Sequence, residues 1–258
     1  MINTDLILNV YKHRSLKSSL STQLLYGEKF KIIKKFGKFL KIKTAYDNYF
    51  GYIKNKKFKE NVTPTHKISN LSATLYSKPN KKFKLKNKIS FGSLVKITRK
   101  TKNFLNFDKY WINKKDVLSI KKTNLLFSKI KIFKNVKYKW GGNSFKGIDC
   151  SALVQIFYKF NNKFCPRDTK DQVKYFKKNV KLSKIKKNNL IFWKGHVAIC
   201  LSNIDLIHAY GPRKKVIVMN IKKTIDEIEK KSNLKVKFIK NESNWKEKKR
   251  IRKNNKFV

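Results

Sequence analysis

Tyr138-Lys139-Trp140-Gly141-Gly142-Asn143-Ser144-Phe145-Lys146-Gly147-Ile148-Asp149-Cys150-Ser151 decides how the rest of this chain is read. It opens on aromatic residues, turns at glycines, and delivers one cysteine to the start of an apolar segment. Leu153, Ile156, Phe157 and Phe160 then follow at the i, i+3, i+4, i+7 spacing of a helix with one buried face. Asp149 stands where an N-cap belongs, its carboxylate able to accept from the first free backbone N–H groups. Cys150 falls in the first turn, where the helix dipole and unpaired amides favour a thiolate over a thiol. A cysteine placed there suits a nucleophile.

A nucleophilic thiol needs a base, and the base needs a third group to hold it. Of the four histidines, His13 and His66 lie far upstream, while His196 and His208 follow the cysteine. His196-Val197-Ala198-Ile199-Cys200-Leu201 and Leu206-Ile207-His208-Ala209-Tyr210 are short, apolar and rich in β-formers. Ser202-Asn203-Ile204-Asp205 between them has a turn composition, so a β-hairpin is expected. With Cys200 opposite Leu206, His208 faces Ala198 and lies diagonal to His196 on the same side, roughly 7–8 Å apart at the backbone. A slip of one residue would put the two histidines on opposite faces.

These motifs, with Pro166-Arg167-Asp168-Thr169 through Gln172 and Leu190-Ile191-Phe192-Trp193, resemble the NlpC-type (NlpC/P60) family. That family comprises papain-like cysteine peptidases of bacterial cell-wall peptides, and the resemblance covers about residues 122–240. It implies an α+β fold in which a helix bearing the cysteine packs on an antiparallel sheet. It implies Cys150 as nucleophile, His196 as its base and His208 as the group orienting that base. Tyr138, Asp149 and Ser151 are implied as lining the substrate site, Asp149 by pairing with a free alanyl ammonium. Arg167 either meets a substrate carboxylate or pairs with a structural acid. The implied reaction is hydrolysis of the γ-D-glutamyl–diamino acid bond of murein stem peptides, by a dipeptidyl peptidase acting in peptide recycling. Two departures stand out: Ala152 replaces the usual glycine, and Lys187-Asn188-Asn189 replaces a Pro-Gly-Asp turn before the first strand of the sheet.

Composition bounds the alternatives. The formal net charge is +50, with 65 Lys and Arg against 15 Asp and Glu. Such a balance attracts nucleic acid, yet the excess is almost all lysine, spread along the whole chain. Asn, Ile and Phe are abundant too, and all four residues have A/T-rich codons, so no specific nucleic-acid binding is expected. The three cysteines, at 150, 165 and 200, show no metal-ligand spacing and no paired framework. No cofactor is expected. Without a signal-like start or an 18-residue apolar run, the simplest reading is cytoplasmic, with no membrane span. A murein peptide is the expected partner. A catalytically weak or inactive wall-binding protein, a basic nucleic-acid-binding protein and an acyltransferase using the same trio remain as alternatives.

The first half reads as short strands with turns, and it repeats. Val10-Tyr11 matches Leu75-Tyr76 and Gly27-Glu28-Lys29-Phe30-Lys31-Ile32 matches Gly92-Ser93-Leu94-Val95-Lys96-Ile97 at one constant offset. Tyr52-Ile53-Lys54 matches Trp111-Ile112-Asn113 at a shorter one, as duplication with a loop deletion would leave. Each copy resembles a small bacterial SH3-like β-barrel, serving wall-peptide recognition or simply shaping one wall of the cleft. The expected domains are 1–62 and 63–120 for the two barrels, 121–241 for the peptidase and 242–258 for a basic tail containing Trp245. Within the peptidase, Thr169 with Gln172 and Thr224 with Glu227 read as capping boxes, and Leu234, Val236 and Phe238 as a half-buried strand.

Overall fold

The computed structural model describes residues 1–60 and 62–242; the expected tail from 243 onward, with Trp245, lies outside the described residues, as does Asn61. Five strands come first: β1 (Ile7–Tyr11), β2 (Leu20–Leu25), β3 (Phe30–Phe36), β4 (Phe39–Thr44) and β5 (Phe50–Lys54). They form an antiparallel sheet in the order β2-β1-β5-β4-β3. Leu8, Val10, Leu40, Ile42 and Ile53 point inward into one core, while intervening lysines face water, as the period of two along a strand requires.

Next come β6 (His66–Ile68), β7 (Ser72–Tyr76), β8 (Lys84–Ser90), β9 (Leu94–Val95), β10 (Arg99–Lys100), β11 (Phe104–Phe107), β12 (Tyr110–Asn113) and β13 (Val117–Ser119). One sheet runs β10-β11-β12-β7-β8 and a small one β13-β6-β9. Read from its other end, the larger sheet follows the same path as the first. The repeat seen in the sequence is therefore topological as well. Tyr11 pairs with Tyr52, and their counterparts Tyr76 and Trp111 pair likewise. Gly27 and Gly92 occupy the same left-handed conformation, at φ +84° and +81°, which an L side chain adopts only under strain.

The remaining elements are the ribbon β14 (Asn143–Ser144) and β15 (Gly147–Ile148), α1 (Cys150–Phe160), α2 (Thr169–Tyr175), β16 (Leu190–Trp193), β17 (His196–Cys200), β18 (Asp205–Tyr210), β19 (Lys215–Asn220), α3 (Ile221–Ser232) and β20 (Phe238–Lys240). Their antiparallel sheet has the order β19-β18-β17-β16-β20. One face, through Val197, Ile199, Ile207, Ala209 and Val216, shares a core with Leu153, Ile156 and Phe157 of α1. The other, through Ala198, Cys200 and Leu206, shares one with Ile221 and Ile228 of α3. The architecture is α+β, with the cysteine-bearing helix laid on the sheet.

The helix does not stand alone. Phe91 of the second unit stacks on Phe160 at 4.5 Å and meets Phe133 and Phe157 edge-on or tilted. Each such ring contributes roughly 1.5–3 kcal/mol by leaving water. Lys67, 1% exposed, donates to the carbonyls of Ile120 and Phe160 and so caps the C-terminal end of α1. A cation there complements the helix dipole.

Three local expectations need correction. The N-cap of α2 is Asp168, and the Gln172 side chain donates to Ser151 O and Pro166 O instead of closing a box on Thr169. Helix α3 starts earlier than its expected cap, at Asn220, whose side chain accepts from Lys223 N; the Thr224 hydroxyl bonds back to Asn220 O. The terminal strand is only Phe238–Lys240, with Ile239 facing inward, although it does complete the sheet beside β16. For Gln172 a contact with α1 outcompetes the local box, whereas at α3 another local cap, Asn220, takes the place of Thr224.

Candidate active site

Cys150 is the first residue of α1, and the accounting of that helix's free N–H groups shows why it sits well. Ala152 N donates to Asp149 Oδ1 at 2.8 Å, the expected cap. Ser151 N points to the Cys150 sulfur, as does Val197 N from the neighbouring strand. The N–H of Cys150 itself has no carbonyl one turn back within the helix, so it is available to donate to a group entering the cleft.

The resting sulfur is a thiol. Burial pushes its pKa up to about 11, helped by the charge of Asp149, and outweighs the lowering by the Val197 and Ser151 N–H groups. The expectation that the helix terminus alone would favour a thiolate is thereby corrected: desolvation is the larger effect. The S–H approaches Gly195 O at 3.9 Å, so the sulfur touches the chain on both sides of His196.

His196 and His208 meet as the register requires. Ile199 pairs with Ile207 and Cys200 with Leu206, and His196 Nε2 lies 2.9 Å from His208 Nδ1. Burial lowers the His196 pKa to about 4 and, with the His196 charge, drives that of His208 well below its ordinary value. Both imidazoles are therefore neutral at pH 7. Tyr210 stacks on His208 at 4.7 Å, and Trp193 lies 5.6 Å from His196. His196 Nε2 is thus engaged by His208, and which ring nitrogen of His196 can take a proton depends on the tautomer of the pair.

The substituted turn before β16 is held by its two asparagines. Asn188 takes the left-handed conformation at φ +70°, and the buried Asn189 accepts from Lys186 N at 3.0 Å. Backbone bonds from Asn188 N to Cys200 O and from Cys200 N to Asn189 O, both 2.8 Å, lead into the sheet. Asparagine tolerates αL better than most residues, and its amide oxygen does the accepting a carboxylate would do.

Of the residues proposed to hold substrate, Asp149 and Arg167 are committed to each other. Arg167 Nη1 and Nη2 reach Oδ1 and Oδ2 of Asp149 at 3.0 and 2.6 Å. The guanidinium also donates to Ser151 Oγ and to Thr22 Oγ1 of β2, both at 2.9 Å. Gly141 N and Ser151 Oγ complete the shell of Asp149. The reading of Arg167 as partner of a structural acid is what the geometry shows. Tyr138 is half-buried, its phenol raised in pKa first by burial and then by the charge of Cys150.

Cys150, Asp149 and Ser151 open onto a cavity of about 490 Å³ whose far wall comes from the first unit: Lys12, Ser19, Leu20, Ser21 and Tyr49. Pattern-reading in the sequence missed two residues there. Tyr49 O–H donates to both oxygens of Asp168 at 3.1 Å, and burial raises the Asp168 pKa against the opposing pull of Arg167. Asp168 sat in a quoted motif, but nothing in one sequence joins it to Tyr49 across 119 residues. Among the described residues no three His, Cys, Asp or Glu side chains are placed to hold a metal ion.

Residues 135–232 match the family model described as NlpC/P60, and residues 10–58 match the bacterial dipeptidyl-peptidase SH3 domain. The chain carries an NlpC/P60 domain. Dipeptidyl-peptidase 6 of Lysinibacillus sphaericus is 36% identical over 72 residues, 28% of this chain and only 27% of that protein. The gamma-D-glutamyl-L-lysine dipeptidyl-peptidase of Bacillus subtilis (strain 168) is 25% identical over 238 residues, 81% of this chain and 79% of its own. A crystal structure of an NlpC/P60 family protein from Bacillus cereus ATCC 10987 superposes with a TM-score of 0.78 at 20% identity, covering 93% of this chain and 98% of that one. That likeness extends the shared fold beyond the NlpC/P60 domain into the strand-rich N-terminal region. No helix among the described residues is long and apolar enough to cross a membrane.

Proposed function

We propose that this chain hydrolyses the γ-D-glutamyl–diamino acid bond of murein stem peptides as a dipeptidyl peptidase in cytoplasmic peptide recycling. The observation that carries the reading is Cys150 at a helix N-terminus, its sulfur touching the backbone on either side of a histidine that is bonded to a second. Cys150 attacks the carbonyl carbon while its proton passes to His196 Nδ1; His196 then gives that proton to the leaving amine and activates water for deacylation. The developing oxyanion is met by the free N–H of Cys150, a donor whose loss typically costs about 3 kcal/mol. Thiol and imidazole are both neutral at rest, so His196 works as a true base and not as one half of a standing ion pair. Catalytic hydrogen bonds commonly close only with substrate in place, which accommodates the resting S–H contact to Gly195.

The free alanyl ammonium is assigned to Asp168 in this proposal. Asp149 has its carboxylate occupied by Arg167, two backbone N–H groups and Ser151. Asp168 faces the same cavity with a desolvated charge and one phenol donor. The SH3-like units, with boundaries at 1–62 and 63–120, serve in this reading as the cleft's wall and the helix's backing.

The test uses L-alanyl-γ-D-glutamyl-diaminopimelate and its N-acetylated form, with wild type, Cys150→Ala and Asp168→Asn. Release of diaminopimelate from the free tripeptide alone, lost in Cys150→Ala and reduced in kcat/KM by Asp168→Asn, supports every step. Cleavage of both peptides keeps the peptidase and removes the ammonium site. Cleavage of neither, while Cys150 still alkylates, overturns the substrate.

A further inference from the structure

His196, His208 and Met219 form a diagonal row across three adjacent strands, β17, β18 and β19. His208 pairs with Ile217, and Met219 stands two residues further along the same face of β19. The row is joined end to end: His196 Nε2 to His208 Nδ1 at 2.9 Å, and His208 Nε2 to Met219 Sδ at 3.4 Å. A thioether has no proton to give and can only accept. We propose that Met219 sets the tautomer of the histidine pair, a positioning role that rests on His196 being the base of the reaction proposed above.

The consequence follows by elimination. With its Nε2–H given to sulfur, His208 presents a bare Nδ1 lone pair to its neighbour. That lone pair accepts from His196 Nε2–H, which leaves the lone pair of His196 on Nδ1, where the Cys150 proton has to arrive. In the opposite arrangement His208 Nδ1–H would donate to His196 Nε2, and His196 would carry its proton on Nδ1. Such an imidazole cannot accept there. The two arrangements hold the same number of protons and differ only in which nitrogens carry them, so a weak acceptor suffices to choose. His208 is fully buried, so the choice falls to the groups packed around it, and the Tyr210 ring stacked on it offers a face and no in-plane acceptor.

The composition makes a clean test possible, because the chain has only two methionines, Met1 and Met219. Growth with norleucine replaces both sulfurs by methylene and keeps the shape; Met1 is partly exposed at the chain end. Full-length protein labelled with ¹⁵N-histidine would be observed by two-bond nitrogen–carbon-bound-proton NMR. Both His196 and His208 are expected to carry their protons on Nε2 in the normal protein. In the norleucine protein His208 is expected to show a mixture, with kcat for the free tripeptide down about tenfold, a barrier change of about 1.4 kcal/mol, and KM within about twofold of normal. Selenomethionine, which keeps an acceptor at the same place, should restore both. The proposal is overturned by a proton on Nδ1 of His208 in the normal protein, or by a norleucine protein whose tautomers and kcat are unchanged. If no form cleaves the peptide, the substrate reading fails while the tautomer measurement still decides the role of Met219.

Discussion

Arg167 grips Asp149 with both arms of its guanidinium, and the two side chains are only 2% and 8% exposed. The carboxylate so held is also the N-cap of the helix that carries Cys150. The ion pair thus ties the loop before α2, strand β2 through Thr22, and the start of the Cys150 helix into one network.

Breaking that network is the first prediction. Arg167→Met leaves a buried carboxylate without its counter-ion, for which about 3–5 kcal/mol of stability is expected to be lost. Arg167→Lys recovers little, since an ammonium cannot make the forked contact. Urea unfolding of the three proteins checks this; a loss below about 1 kcal/mol for the Met variant would show the pair to be dispensable.

The pH dependence of kcat/KM follows from the neutral resting pair. In the resting enzyme His196 takes up a solvent proton only below about 4, and Cys150 loses its own to solvent only near about 11. Activity is expected to rise through the first value, stay level, and fall through the second. Alkylation of Cys150 by iodoacetamide should accelerate up to the same alkaline value. An acid limb near the ordinary imidazole pKa of about 6.5 would mean that His196 is solvated in the free enzyme.

Gly27 and Gly92 share a conformation but not an environment. A Cβ on Gly27 would lie 2.0 Å from the backbone oxygen of Leu94, whereas on Gly92 it would meet the side chains of Ile156 at 3.4 Å and Leu25 at 3.8 Å. Gly92→Ala is expected to cost about 1–2 kcal/mol, the strain of a left-handed non-glycine residue. Gly27→Ala should cost clearly more, because the backbone of the second unit must move. Equal losses in thermal unfolding would contradict this.

Lys67 should leave a signature in stability against pH. Burial lowers its pKa from 10.5 to about 8, so between those values the unfolded chain holds a proton that the folded chain has released. Its contribution is fully present above 10.5 and is lost as the pH falls through about 8. Unfolding free energy should therefore rise from pH 8 to 10.5 more steeply in wild type than in Lys67→Met, by up to about 1.4 kcal/mol per pH unit for one proton. Parallel curves would contradict the burial of a charged Lys67.

Much of the peptidase half was legible in its residues because its cues are local. The helix after Asp149 and the hairpin of His196 and His208 follow from period and turn composition, while the hairpin's register stayed a choice between two until Cys200 was seen opposite Leu206. The capping boxes at Thr169 and Thr224 were misread for the same reason: the residues fit a local pattern, but Gln172 found Ser151 and Pro166, and Thr224 found Asn220. The effect of Lys187-Asn188-Asn189 was open until the backbone showed asparagine in the left-handed turn.

By itself, then, the sequence placed Cys150 at a helix start, His196 and His208 on one hairpin, and marked the doubled β-unit and the class of fold, since each is written in short-range spacing and repetition along the chain. Only the tertiary structure decided the protonation and the walls of the site. Whether Cys150 rests as thiol or thiolate depends on how much water its surroundings exclude. Which carboxylate is free depends on Arg167 choosing Asp149 and on Tyr49 reaching Asp168 from another unit. Desolvation and long-range pairing are properties of the packed volume, and no window of the chain contains them.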